Sequence, residues 1–412
     1  MIHRHITPRV LEALADTPVV LLNGARQTGK STLVKAISSG GHEARYITLD
    51  NLSALGAARH DPSGFIAGQE GPLIIDEVQK APELFPAIKA AVDRKRQPGN
   101  FLLTGSANIF LLPRISESLA GRMEILTLWP FSQGEISGVE EGLVDALFKD
   151  RLSFQGIPPE DQGKTLNRII GGGYPEAIHR SPARRKAWFD SYLTTLLQRD
   201  VRDIANIEGL VHLPRLLSLV AIRVPTFLNF AEISRTAAIP QSTLKRYMTL
   251  LEATFLVQNI PAWSTNLGKR LVKTPKLVLN DAGLKAHLVG MSGERMLENG
   301  SIGAQLENFV IMELRKQITW NAVQPKMFHF RTQTGQEVDI ILEEPGGRLA
   351  GIEVKASRTV SSQDFKGLNA LKEMTPKRFH RGIVLYMGSE VIPFAANLHA
   401  LPLNALWSLP KK

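Results

Sequence analysis

With 412 residues the chain is too long for a single hydrophobic core, so two or three domains are expected. A formal charge of +10 favours a polyanionic partner, nucleic acid or an anionic membrane surface, while the lack of cysteine excludes disulfides and thiolate metal sites and fits a reducing, cytoplasmic interior. No apolar run approaches bilayer length, and Asp16 and Pro18 interrupt the N-terminal stretch that a signal peptide would keep apolar.

The N-terminal stretch reads as a helix leading into the short strand "PVVLL". "NGARQTGKSTLVKAI" follows, with the spacing G-x-x-x-x-G-K-S. Gly24 and Gly29 bracket Ala25, Arg26, Gln27 and Thr28, whose backbone N–H groups can close around phosphate oxygens because glycine tolerates positive φ and close approach. Lys30 supplies a movable charge for the β and γ phosphates. Ser31 offers a hydroxyl to Mg²⁺, Thr32 follows it, and the helix begun here turns its N-terminal dipole toward the anion. ATP and Mg²⁺ are the expected ligands. A glycine turn that binds nothing is the plainer alternative, disfavoured by the complete pattern between strand and helix.

"GPLIIDEVQK" is an apolar strand closed by two acids. Asp76 is expected to hold the Mg²⁺ shell, and Glu77 to orient or deprotonate the attacking water; a solvated acidic turn is the alternative. "ARYITLD", "FLLTGSAN" and "MEILTLWP" are further strands with helices such as "PELFPAIKAAVDRKR" between them, a pattern that predicts an α/β fold with a parallel sheet covered on both faces. Thr104, Ser106 and Asn108 end one strand as candidates for sensing the γ-phosphate. Arg122 is a candidate arginine finger, acting within the chain or on a neighbouring subunit of a homo-oligomer, or else an ordinary surface arginine.

From about Phe131 to Lys164 the strand pattern fades into Gly, Pro and acidic residues, which marks a boundary. "RRKAWFDSYLTTLLQRDVRDI" has helical spacing and reads as a lid or spacer. In "FLNFAEISRTAAIPQSTLKRYMTLLEATFLVQNIPAW" a short helix, a turn carrying Pro240 and a longer helix predict a winged helix-turn-helix, with Gln241, Ser242, Lys245 and Arg246 at the exposed start of a recognition helix. The same module also serves as a protein-docking surface or rigid spacer. Further on, "QLENFVIMELRKQI" is a helix with Glu307 near its start; "EVDIIL" and "LAGIEVKAS" are strands joined by the turn "EEPGGR". Glu353 and Lys355 share a strand face, and Asp339 can join them across the hairpin. Two carboxylates and a lysine there could hold Mg²⁺ and aim water at a phosphodiester, or face solvent as the polar half of an alternating strand.

These stretches carry a family likeness. "GARQTGKST", "LIIDEVQ" and "LLTGSAN" resemble AAA+ P-loop ATPases, and "LAGR", "WPFSQGE", "GGYPEA", "LLQRDVRDI", "STLKRYMTLLEATFLV", "VLNDAGL" and "GIEVKAS" extend the likeness, over nearly the whole chain, to prokaryotic ATPases with an AAA_14 and a DUF4143 domain. The "EVD…EVK" pair is similar to the PD-(D/E)xK nucleases. That resemblance implies Asp339, Glu353 and Lys355 as a nuclease set with Glu307 as the helical acid and a metal held by Glu307, Asp339 and Glu353, although Val338 stands where the motif has Pro. The implied domains are an ATPase over 1–140, a linker and lid over 141–215, a winged helix-turn-helix over 216–290 and a restriction-endonuclease-like α/β domain over 291–412. Two functions fit: an ATP-driven machine acting on DNA, or a nucleotide-dependent switch that docks a protein partner and uses an inactive nuclease fold for binding. Peripheral membrane association lacks a strongly cationic amphipathic helix.

Overall fold

Five short strands build the first sheet of the protein: β1 (Val19–Asn23), β2 (Arg45–Thr48), β3 (Leu73–Asp76), β4 (Phe101–Gly105) and β5 (Met123–Thr127). The computed structural model describes residues 2–107, 119–150, 154, 156–200, 212–227, 229–266, 268, 270, 274–292, 302–332 and 334–411. Contacts divide the chain into two units, one made of Arg4–Pro130 with Thr249–Leu256, the other of Met1–His3, Phe131–Met248 and Val257–Lys412.

In the first unit the strands run parallel in the order β2-β3-β4-β1-β5. Every residue of β1, β3 and β4 is buried, as both faces of a parallel sheet are covered by its crossover helices. Leu21, Ile75 and Leu103 meet Phe85, Ile88 and Val92 of the helix Leu84–Arg94 in one core. Asn51 caps the helix Leu52–His60 by accepting the Ala54 N–H, so the chain turns sharply after β2.

The second unit contains the helices Gln162–Gly171, Pro182–Thr195, Leu213–Arg223, Phe230–Ala237 and Ala282–Leu288, and a three-stranded antiparallel sheet β6-β8-β7. Its strands are β6 (Thr226–Phe227), β7 (Val257–Ile260) and the central β8 (Lys276–Leu279). The helix Gln241–Ala253 follows Phe230–Ala237 after Ala238, which takes φ +55° in the turn. Gly173 has no room for a side chain, since a Cβ there would lie 2.1 Å from the Phe131 carbonyl oxygen. Its N–H is accepted by Asp281 at 2.7 Å, and the same carboxylate caps the helix Ala282–Leu288 through the Leu284 N–H at 2.9 Å. One buried aspartate thus joins the glycine run to the end of "VLND".

A mixed sheet, β13-β14-β12-β11-β10-β9, completes this unit. Its strands are β9 (Lys326–Arg331), β10 (Glu337–Glu343), β11 (Leu349–Lys355), β12 (Phe379–Tyr386), β13 (Ile392–Ala395) and β14 (Leu398–Pro402). Strands β11, β12 and β14 are parallel, while β10 runs antiparallel to β9 and β11. Val338, Ile341, Leu368, Leu371 and Val384 share a core that also takes in Trp263. The helix Ile302–Ile318 buries most of its length, polar Gln305, Asn308 and Glu313 included. The fold is therefore mixed α/β with a parallel sheet near the N-terminus and a mixed sheet near the C-terminus.

Candidate functional site

The first candidate site lies at the C-terminal edge of the parallel sheet, where ligands of open α/β sheets bind. After β1 the chain enters the loop 24–29 at Gly24, with φ +146° and a notional Cβ 2.2 Å from the Leu128 carbonyl oxygen, so only glycine passes there. Gly29, with φ +94°, opens the helix Lys30–Gly40. Lys30 is buried, and its ammonium donates to the carbonyls of Gly24 at 3.0 Å and Ala25 at 2.8 Å. Thr28 donates its hydroxyl to Ala25 O at 3.0 Å. Arg4 backs the loop, reaching Thr28 O at 3.5 Å and Trp129 O at 2.6 Å. Arg26 is half-buried, while Gln27 and Thr32 are exposed.

Asp76, the last residue of β3, collects three hydroxyls. Ser31 donates to Oδ1 at 3.1 Å, Thr104 donates to the same oxygen, and Tyr46 donates to Oδ2 at 2.6 Å. Burial and the Asp76 carboxylate push the Tyr46 hydroxyl above the usual tyrosine range, so it remains a donor. Glu77 sits in the left-handed region at φ +60°, a conformation that costs about 1 kcal/mol for a residue with a Cβ. Its N–H reaches the Thr104 hydroxyl at 3.1 Å, and its carboxylate accepts from Gln79 and, at 3.1 Å, from Ser106. The residues fit a magnesium triphosphate: a hydroxyl beside a carboxylate supplies hard oxygens, and a lysine resting on carbonyls is a charge that can move to phosphate.

Arg122 stands elsewhere. It forks onto Asp93 at 2.6 and 3.1 Å, and its carbonyl accepts the N–H of Val19, the first residue of β1. That is the N-terminal edge of the strands, so Arg122 does not join the loop of its own chain; its fork onto Asp93 is what an ordinary surface arginine makes, and a finger role is left only toward a neighbouring subunit. Asn108 lies outside the described residues. Sequence reasoning missed Tyr46, which strand order brings to Asp76, Arg4, which reaches the loop from the segment ahead of the first helix, and Gln79, whose amide turns back onto Glu77 two residues before it.

A second cluster lies in the other unit. Asp339 on β10 accepts the Val354 N–H at 3.0 Å, and Lys355 approaches Glu353 at 3.8 Å. Into this cluster comes Lys276 from β8, 2.5 Å from Glu307 and 3.7 Å from Asp339. Burial works against the charge on Lys276, but Glu307 and Asp339 outweigh it and hold the ammonium above its ordinary range. Glu307 is pushed up to about 7, first by burial and then by Asp339, against the pull of Lys276. Burial, with Asp339 second, raises Glu353 well above the usual carboxylate range. Lys285 donates to Ala304 O at 2.7 Å, and burial brings it down to about 7.

The four acids and bases read from sequence do lie close together, but with a fifth partner. Lys276 was legible only as a charged residue opening the apolar run "KLVL". Among the described residues no group of three or more His, Cys, Asp or Glu is arranged to hold a metal ion. A divalent ion does not fit the cluster as built, since an ammonium already engages two of the carboxylates. Gln241, Ser242, Lys245 and Arg246 are all exposed at the start of their helix. No helix among the described residues is long and apolar enough to cross a membrane.

Three family models match the chain: an AAA domain (AAA_14) over residues 16–137, a domain of unknown function (DUF8612) over 163–295 and a domain of unknown function (DUF4143) over 302–406. Uncharacterized proteins of Mycobacterium tuberculosis and Mycobacterium bovis are each 32% identical over 406 residues, which is 98% of this chain and 84% of theirs. Among solved structures, a Walker-type ATPase of Pyrococcus abyssi aligns with 13% identity and a TM-score of 0.44, covering 70% of this chain and 96% of that one.

Proposed function

We propose that this chain, which belongs to the prokaryotic AAA+ ATPases that join an AAA_14 domain to a DUF4143 domain, hydrolyses ATP and couples the turnover to remodelling of, or translocation on, DNA. The observation that carries the ATPase part is the pairing of the Ser31 hydroxyl with the Asp76 carboxylate at 3.1 Å, beside a glycine loop and a buried lysine. Ser31 and Asp76 would hold Mg²⁺, which neutralises phosphate charge when bound. Lys30 exchanges two backbone carbonyls for phosphate oxygens. Glu77, steadied by Gln79 and Ser106, orients the attacking water and takes its proton.

Three features support DNA as the partner: the charge of +10, the exposed Gln241, Ser242, Lys245 and Arg246 at a helix start, and the antiparallel strands β7 and β8 that follow that helix. In a homo-oligomer, Arg122 would act on the nucleotide of the neighbouring subunit. Strand cleavage is left out, because Lys276 stands among the acids that a metal would need. That same lysine favours a second reading, a nucleotide-dependent switch that docks a protein partner and uses the C-terminal domain for binding alone.

Steady-state ATP turnover with single-stranded, duplex and branched DNA separates the two. Stimulation by one form supports the DNA reading. Turnover indifferent to all three, with a protein that stays bound through purification, supports the switch. No affinity of the folded chain for any nucleoside triphosphate overturns both.

A further inference from the structure

We propose that Lys276 is the resident cation of the cluster formed by Glu307, Asp339 and Glu353, and that the cluster admits no divalent metal while β8 lies against the helix Ile302–Ile318. The inference stands on side-chain geometry and holds whether or not the chain turns over ATP. The Lys276 ammonium lies 2.5 Å from Glu307 Oε1 and 3.7 Å from Asp339 Oδ1, and the residue is only 4% exposed. Mg²⁺ would need several of the same oxygens at about 2.0–2.1 Å, where a fixed positive charge already sits.

The lysine is also held in place. Asn308, one residue from Glu307, treats β8 as a neighbouring strand would: its Oδ1 accepts the Leu279 N–H at 2.8 Å and its Nδ2 donates to Leu279 O at 3.1 Å. On its two edges β8 is paired with β6 and β7. Withdrawing the backbone that carries Lys276 would therefore mean unmaking a strand and a buried amide pair together. Among the described residues, the other basic groups near the acids are Lys355, against Glu353, and Lys285, whose ammonium is turned to Ala304 O.

Mn²⁺ titration of the nucleotide-free, full-length chain, with free Mn²⁺ followed by electron paramagnetic resonance, tests this. The natural chain and Asp339→Asn are expected to bind Mn²⁺ alike; one more ion bound by the natural chain than by Asp339→Asn overturns the proposal. Lys276→Met is expected to gain one Mn²⁺ per chain, at least tenfold tighter than any Asp339-dependent binding of the natural chain, and to lose it again when combined with Asp339→Asn. Lys276→Arg, which keeps the charge, gains none. A folded Lys276→Met chain without the extra ion also overturns it. Should Lys276→Met not fold, the comparison of the natural chain with Asp339→Asn still decides.

Discussion

The Tyr46 hydroxyl donates to Asp76 Oδ2 at 2.6 Å, on the carboxylate that Ser31 and Thr104 engage through Oδ1. These three donors take three of the roughly four lone-pair sites of the carboxylate, and the Tyr46 bond holds one of the two on Oδ2, so it competes with metal for Asp76. Tyr46→Phe removes that competitor and leaves the ring. A net hydrogen bond of about 1 kcal/mol translates into roughly a fivefold fall in the Mg²⁺ concentration giving half-maximal ATP turnover. A Mg²⁺ titration of phosphate release measures it; an unchanged midpoint would show that the hydroxyl does not compete.

Glu77→Gln keeps an acceptor for Ser106 and Gln79 but cannot take a proton. Binding of a fluorescent ATP analogue is expected to stay within about threefold, while turnover falls by roughly 10²–10⁴ as a general base is lost. Lys30→Ala is expected to abolish both, because the phosphates lose their main counter-charge. A Glu77→Gln chain that no longer binds nucleotide would assign this acid to the architecture of the loop.

Much of the first site is legible in sequence because its parts are contiguous. "VVLL" and "LIID" are unbroken apolar runs since both faces of their strands are buried, and the loop follows β1 without interruption. Tyr46 and Arg122 are not legible in the same way. The order β2-β3-β4-β1-β5 sets Tyr46 beside Asp76, and the register of β1 with β5 sends Arg122 to the far end of the sheet. Periodicity carries no information on strand order. The stretches "GGYPEA" and "VLNDAGL" belong to the family likeness without any role evident in the letters. Their meaning appears once Asp281 is seen to take the Gly173 N–H, a contact between segments far apart in the chain. Lys276 escaped for a related reason: its carboxylate partners come from a helix and a strand that follow it.

Gly173→Ala tests that junction. Its Cβ would lie 2.1 Å from a backbone oxygen, that of Phe131, which cannot swing aside as a flexible side chain could. The Phe131 N–H also donates to Gly173 O at 2.7 Å, so the two segments are held together from both sides. Overpacking of this kind costs about 1–3 kcal/mol, and the thermal unfolding midpoint should fall by several degrees. An unchanged midpoint would mean that the Phe131 segment moves without loss.

Lys285 gives the chain a dependence on pH whose sign follows from burial. Its folded value is about 7, against 10.5 for the ordinary side chain; burial lowers it, and Glu307 opposes the shift. Between these values the unfolded chain holds a proton that the folded chain has released, so folding stability rises with pH through that window. Below it the lysine is charged in both states and the cost of burying that charge is felt in full. The slope approaches about 1.4 kcal/mol per pH unit where the two protonation states differ completely, and is smaller near the ends of the window. Lys285→Met removes the titrating group while keeping most of its volume. The difference in unfolding midpoint between the natural chain and Lys285→Met is therefore expected to shift in favour of the natural chain on going from pH 7 to pH 9.5. Equal pH profiles for the two chains would place the Lys285 ammonium in contact with solvent or with a carboxylate strong enough to keep it charged.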